Sequence, residues 1–165
     1  MKKFIVAALV ASALPTLAMA ADFSGTYTRD AKASTPASYP VYWITRDAPA
    51  PGGFGGQTQI VLKQTPTALQ ITDPARAIRN LPLDGKPHLG KHETGLVDQT
   101  VTAAVQGDTI VVTTVAPYSG LPGSVLTPVK ATWSLSPDGK TLTVTSVTST
   151  PALPAETSKQ VYTRQ

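Results

Sequence analysis

The sequence predicts an all-β fold, an antiparallel up-and-down meander of about eight or nine short strands closing into a small barrel. Three observations carry that expectation. Thr-, Val- and Leu-rich runs alternate apolar and polar residues with period two. Turn signals built from Pro, Asp and Gly separate them. No stretch after residue 20 has an apolar stripe long enough for more than a turn or two of helix.

The first twenty residues stand outside that pattern. Lys2 and Lys3 precede an apolar run from Phe4 to Leu14, Pro15 ends it, and Ala18-Met19-Ala20 supplies small residues. This is the layout of a signal peptide cut after Ala20. The run is shorter than the roughly 20 residues that cross a bilayer. The expected product is residues 21–165, a single periplasmic or secreted domain with no membrane span.

The strand expectations follow in order. Phe23 to Arg29 opens the domain. Gln57 to Gln64 sets Ile60 and Leu62 on one face against Gln59 and Lys63, and Ala68 to Thr72 repeats this with Leu69 and Ile71. Then come Thr100 to Gln106, Asp108 to Val115, Val129 to Ser136, Lys140 to Val147 and Ser158 to Arg164. β-Branched residues dominate these runs and suit a pleated, half-buried surface. Gln64-Thr65-Pro66-Thr67, Gln106-Gly107-Asp108-Thr109 and Ser136-Pro137-Asp138-Gly139-Lys140 read as hairpin turns. The strands beginning at Ala68, Thr109 and Thr141 share one motif, the echo that second strands of hairpins give in any meander. Asp73 to Arg79 fits a short helix, with a capping Asp and a Pro at the first position, and fits an extended link equally well.

Residues 31–56 are the odd piece. Pro36, Pro40, Pro49 and Pro51 accompany four glycines around Phe54, and Tyr39, Tyr42 and Trp43 form the densest aromatic cluster in the chain. A connection this long is usually functional or disordered. Two readings stand: a plug for one end of the barrel, or a lid or partner surface formed by Tyr39, Tyr42, Trp43 and Phe54.

Composition excludes several function classes. With no cysteine, disulfides, thiolate zinc sites and a cysteine nucleophile are ruled out. The net charge of +4 falls to +2 once Lys2 and Lys3 leave, because 12 basic groups then face 10 acidic ones. Those basic residues are scattered, whereas a nucleic-acid binder clusters them. No nucleic-acid partner is expected.

Chemistry is sparse. His88, His92 and Glu93 comprise both histidines and one carboxylate, but Pro87 and Gly90 interrupt them and they read as an exposed loop. Ser124, in Pro122-Gly123-Ser124-Val125, lacks the second glycine of a nucleophile elbow and any recognisable base partner. Asp73, Asp84, Asp98 and Asp108 fall at strand ends or turns, where Asp bonds its own backbone. No catalytic residue, metal site or cofactor is expected, and the chain reads as a non-enzyme.

Function is expected from the apolar faces. Ile60, Leu62, Leu69, Ile71, Ile110, Val112, Trp133, Leu135, Leu142 and Val144 converge inside the barrel, where they fill it or line a hollow. A hollow makes the chain a binding protein for a small apolar or amphipathic molecule. A solid core makes it an interaction or structural module with an envelope protein as partner.

The opening Phe23-Ser24-Gly25-Thr26-Tyr27 with Asp30-Ala31-Lys32-Ala33-Ser34 resembles the start of small bacterial exported lipocalin-like proteins. Leu83 to Lys86, Gln106 to Ile110, Trp133 to Val147 and the closing Val161-Tyr162 are similar to their later turns and hairpins. The resemblance spans most of residues 22–165 and implies a small antiparallel barrel. It implies no catalytic set, and segment 39–56 lies outside it.

Overall fold

Every second side chain of a strand points to the same face, and here one antiparallel sheet bends round to gather all those faces inside. The computed structural model describes residues 21–35, 58–72, 78–91, 98–117, 126–150 and 153–165. Among them are ten strands and no helix. The strands are β1 (Gly25–Arg29), β2 (Gln59–Gln64), β3 (Ala68–Thr72), β4 (Ile78–Pro82), β5 (Asp84–Lys91), β6 (Asp98–Gln106), β7 (Thr109–Pro117), β8 (Leu126–Leu135), β9 (Thr141–Thr150) and β10 (Leu153–Arg164). Their spatial order is β4-β3-β2-β1-β10-β9-β8-β7-β6-β5, and each neighbour pair is antiparallel.

The ring is closed by β1 pairing with β10, Tyr27 opposite Arg164. Its two remaining edges are β4 and β5, which only Leu83 separates in sequence. The Leu83 N–H donates to the carbonyl of Thr67 at 2.9 Å, holding that junction to the β2–β3 turn. The result is a nearly closed barrel.

Ten strands replace the expected eight or nine, and the difference lies in residues 78–91. Ile78 and Arg79 belong to β4 and not to a helix; residues 73–77 of that segment lie outside the described residues. His88 to Lys91 belong to β5 and not to a loop, while His92 and Glu93 lie outside the described residues. Pro82, Pro87, Gly85 and Gly90 hide these strands from a period-two search. An edge strand tolerates a proline because one side of its ladder is unpaired. Gly85 takes φ +70° where the β5–β6 register slips between Asp84 and Pro87, a bulge that turns the chain from one sheet edge to the other.

The expected hairpin turns form. Gly107 adopts φ +63° between β6 and β7, and Gly139 adopts φ +69° between β8 and β9. In the second turn the Ser136 hydroxyl donates to Asp138 Oδ1 at 2.6 Å, and the Lys140 N–H donates to the same oxygen at 3.0 Å. The Thr65 N–H donates to the Ala68 carbonyl at 2.8 Å, and the Ala68 N–H donates to Thr65 Oγ1 at 3.0 Å, closing the β2–β3 turn.

These short links, with Leu83, all sit at one end of the barrel. The connections through residues 36–57, 73–77, 92–97, 118–125 and 151–152 all join strands at the other end. We call the two ends closed and open.

The core fills the closed half. Phe23, Tyr27, Leu69, Ile110, Ala131, Trp133, Leu142 and Tyr162 are each fully buried. Trp133 faces Ile110 on β7 and Val144 on β9 across its two ladders, so a β-branched or aliphatic side chain flanks the indole on each side. Outside, Gln59, Val61 and Lys63 alternate with buried Ile60 and Leu62, as the sequence expects of a strand with one wet face.

Candidate functional site

The apolar residues expected inside are inside. Ile60, Leu62, Leu69, Ile71, Ile110, Val112, Trp133, Leu142 and Val144 are each 2% exposed or less, and Leu135 is half-buried against the same cluster. Side chains this inaccessible touch no water-sized space, so they pack on one another as a floor for the barrel. Tyr39, Tyr42, Trp43 and Phe54 lie outside the described residues.

Above that floor the inner wall turns polar. Arg29 pairs with Tyr162, and the next inward residue of β10 toward the open end is Gln160. Gln160 pairs with Val144, and the next inward residue of β9 is Ser146. Ser146 pairs with Ala131, the next inward residue of β8 is Val129, and Val129 pairs with Thr114 of β7. Thr114 pairs with Val101, and the next inward residue of β6 is Gln99. Arg29, Gln160, Ser146, Val129, Thr114 and Gln99 are thus the inward positions that follow Tyr27, Tyr162, Val144, Ala131, Val112 and Val101 toward the open end. These positions form a belt. Carried the other way from Arg29, the same path meets Ile60, Ile71 and Leu81, and beyond the belt Arg79 of β4 stands opposite Ile71 in the β3–β4 ladder.

The polar side is buried: Gln160 is 1% exposed, Thr114 3%, Ser146 4% and Gln99 5%. Gln160 is held at both ends of its amide. Arg29 Nε donates to its Oε1 at 2.8 Å, and its Nε2 donates to the Thr35 carbonyl at 2.8 Å. Thr35 is anchored in turn, its N–H donating to the Lys159 carbonyl at 2.8 Å and its Oγ1 accepting from the Lys159 N–H at 2.6 Å. Burial pushes the Tyr162 phenol well above the ordinary tyrosine value, and the nearby Arg29 charge opposes that rise. Thr114 differs from its neighbours. Its hydroxyl is out of reach of water and has no hydrogen-bond partner.

The sequence carries a signal for these polar positions that apolar pattern-matching passes over. Thr114 continues the inward series Ile110, Val112, and Ser146 continues Leu142, Val144. Gln160 shares parity with Tyr162, and Arg29 with Tyr27.

Two other features are structural. A cleft of about 440 Å³ lies outside the closed end, between Ala21–Asp22, the Ser136–Gly139 turn and Arg164. Its carboxylates serve their own turns: Asp22 Oδ1 accepts from the Ser24 N–H at 2.9 Å, and Asp138 is committed as described. These hydrogen bonds hold both carboxyls below the ordinary aspartate value. On β5, His88 Nε2 lies 2.9 Å from Asp84 Oδ1, and that contact together with the Lys86 N–H lowers the Asp84 pKa. Among the described residues no three His, Asp or Glu side chains converge to hold a metal ion, and no helix is long and apolar enough to cross a membrane.

Compared with known proteins, the chain matches no family model, no curated sequence and no solved structure, so its belt and floor are interpreted from their own geometry.

Proposed function

We propose that this chain is an exported, non-enzymatic binding protein that holds a small apolar or amphipathic molecule against the inner wall of its barrel. The observation that carries this reading is the Thr114 hydroxyl, buried on the inward face without a partner. Leaving such a group unsatisfied costs about 1–3 kcal/mol, so a bound molecule that completes it gains what the free protein forgoes. The inner wall suits an amphipathic guest, since the polar positions Gln99, Thr114, Ser146 and Gln160 follow directly on the apolar floor. The long connections leave from the end nearest the belt, which favours entry there. A lipocalin-like ancestry, implied by the opening and closing motifs, agrees with such a role.

Thr114→Val tests it, because valine keeps the shape and removes the hydroxyl. The free variant should be more stable by about 1 kcal/mol and should bind an apolar fluorescent probe or co-purifying guest more weakly. Native mass spectrometry of gently purified protein should show a small-molecule adduct. A clean apo mass together with silence toward apolar probes overturns the reading. The packed floor favours a second one, a solid interaction module of the cell envelope, and that outcome would leave it standing.

A further inference from the structure

We infer that export processing tightens the barrel: cleavage after Ala20 leaves a new α-ammonium on Ala21, and the carboxylate-lined cleft at the closed end holds that charge. This rests on the export role proposed above and goes beyond it to what cleavage does to the fold. The occupant is a residue already in place. Ala21 lines the cleft, is half-buried and packs against the apolar core. The next two residues are tied down. Arg164 Nη2 donates to the Asp22 carbonyl at 2.8 Å, and the Phe23 N–H donates to Gln64 Oε1 at 2.9 Å. Hydrolysis of the Ala20–Ala21 bond by a signal peptidase uses one water, whose hydroxyl goes to the Ala20 carbonyl and whose proton goes to the Ala21 nitrogen. At neutral pH the Ala20 carboxyl then releases a proton and the Ala21 amine takes one up.

Four charged side chains line the cleft: Asp22 before β1, Asp108 in the β6–β7 turn, Asp138 in the β8–β9 turn and Arg164 on β10. Three carboxylates against one guanidinium leave it negative. Lys140, whose charge reaches Asp138 from outside the lining, does not reverse that sign. Asp22 and Asp138 each commit Oδ1 to a turn. Asp108 does not: among the described residues its carboxylate makes no hydrogen bond, and Thr109 Oγ1 closes that turn by donating to the Gln106 carbonyl at 2.8 Å. Surrounding carboxylates favour the charged form of an amine. In the uncleaved chain the same nitrogen is a neutral amide, so the attraction is absent until processing. The folded chain then holds its terminal proton more tightly than the unfolded one. That contribution is complete below the unfolded α-amino value of about 7.7–8.0 and is lost as pH rises through the folded value.

The experiment titrates the Ala21 α-ammonium by NMR in chain 21–165, which contains every strand of the barrel. Folded, it should titrate about half a unit above the same group in the urea-unfolded chain, a modest rise because the carboxylates are exposed. The rise should shrink in about 1 M salt, where charges are screened within about 3 Å. Asp108→Asn should lower it, since that carboxylate has no other partner. A control chain with Gly-Ser-Gly-Ser ahead of Ala21 carries its ammonium as much as roughly 13 Å away, beyond a screening length of about 8 Å. At pH 6 the folding constant of chain 21–165 should exceed that of the control about threefold, and the two should converge by about pH 9.5. Equal α-amino values in the folded and unfolded chain overturn the inference and leave export intact, as does a rise that Asp108→Asn leaves unchanged. Protein isolated from a bacterial envelope with a first residue other than Ala21 overturns the processing step on which the inference rests.

Discussion

The guanidinium of Arg164, near the end of the last strand, lies 5.3 Å from the ring centroid of Tyr27 on the first strand. Its Nε and Nη2 both donate to the Tyr27 hydroxyl, at 3.1 and 2.8 Å, and Nη2 also donates to the carbonyls of Asp22 and Ser24 at 2.8 and 2.7 Å. The Tyr27 hydroxyl itself donates to the Phe23 carbonyl at 3.0 Å. One side chain thus fastens the barrel's seam and draws the amino-terminal segment across the closed end.

Removing either partner should therefore weaken the same structure. Arg164→Met should cost about 2–3 kcal/mol, since it strips charge-assisted hydrogen bonds from half-buried acceptors. Tyr27→Phe should cost about 1–2 kcal/mol. In urea denaturation the double variant should lose less than the two single losses together, because both act on one network. Simple additivity would show that the contact carries no coupling energy.

Trp133 and Val61 provide a contrast between faces. Trp133 is fully buried between its cross-strand neighbours, and Trp133→Ala should destabilise by about 3–5 kcal/mol through lost burial and the cavity left behind. Val61 is 41% exposed on the outer wall, and Val61→Ala should stay within about 0.5 kcal/mol. Equal effects at the two sites would contradict the inward and outward assignment of the strands.

The Gly107 turn isolates a backbone effect. Its φ of +63° is hard on any residue with a Cβ, yet a Cβ built there meets no atom within 4 Å. Gly107→Ala should cost about 1–2 kcal/mol from conformation alone, and Gly107→Asn clearly less, because Asn tolerates the left-handed region. Thermal melts of the pair measure the difference. Identical losses would point to a steric cause.

Stability should fall at both extremes of pH, for opposite reasons. Asp22, Asp84 and Asp138 have folded pKa values below their unfolded ones, the first and last mainly through Ser24 and Ser136, the second mainly through His88. Their contribution is present above the unfolded carboxylate value of about 4 and is lost as pH falls through the lower folded values. Tyr27 and Tyr162 are raised, chiefly by burial, so their contribution is complete below about pH 10 and is lost as pH rises beyond it. Tyrosinate absorbance should therefore appear together with alkaline unfolding. Ionisation of all five tyrosines near pH 10 with the fold intact would contradict the burial of these two.

Much of the barrel was legible residue by residue. Ala68 to Thr72 is a strand with the expected bounds, and Leu142 and Val144 point inward, because alternation reports the two faces of a half-buried strand directly. Residues 78–91 were not legible, since their prolines and glycines break alternation and their strand character comes from the β3 and β6 ladders beside them. The polar belt was hidden for another reason. Thr114 or Gln160 in a strand looks like a wet-face residue until its parity is followed from the buried neighbour beside it.

Outside residues 78–91, local pattern alone thus settled where the strands lie and which apolar residues avoid water, since each depends on neighbours one or two positions away. Only the tertiary structure decided that β4 and β5 are the two edges of one ring and that Arg29, Gln160, Ser146, Thr114 and Gln99 line one inner wall. That wall depends on the register of ladders between residues as far apart in sequence as Arg29 and Tyr162, and no local periodicity records such a register.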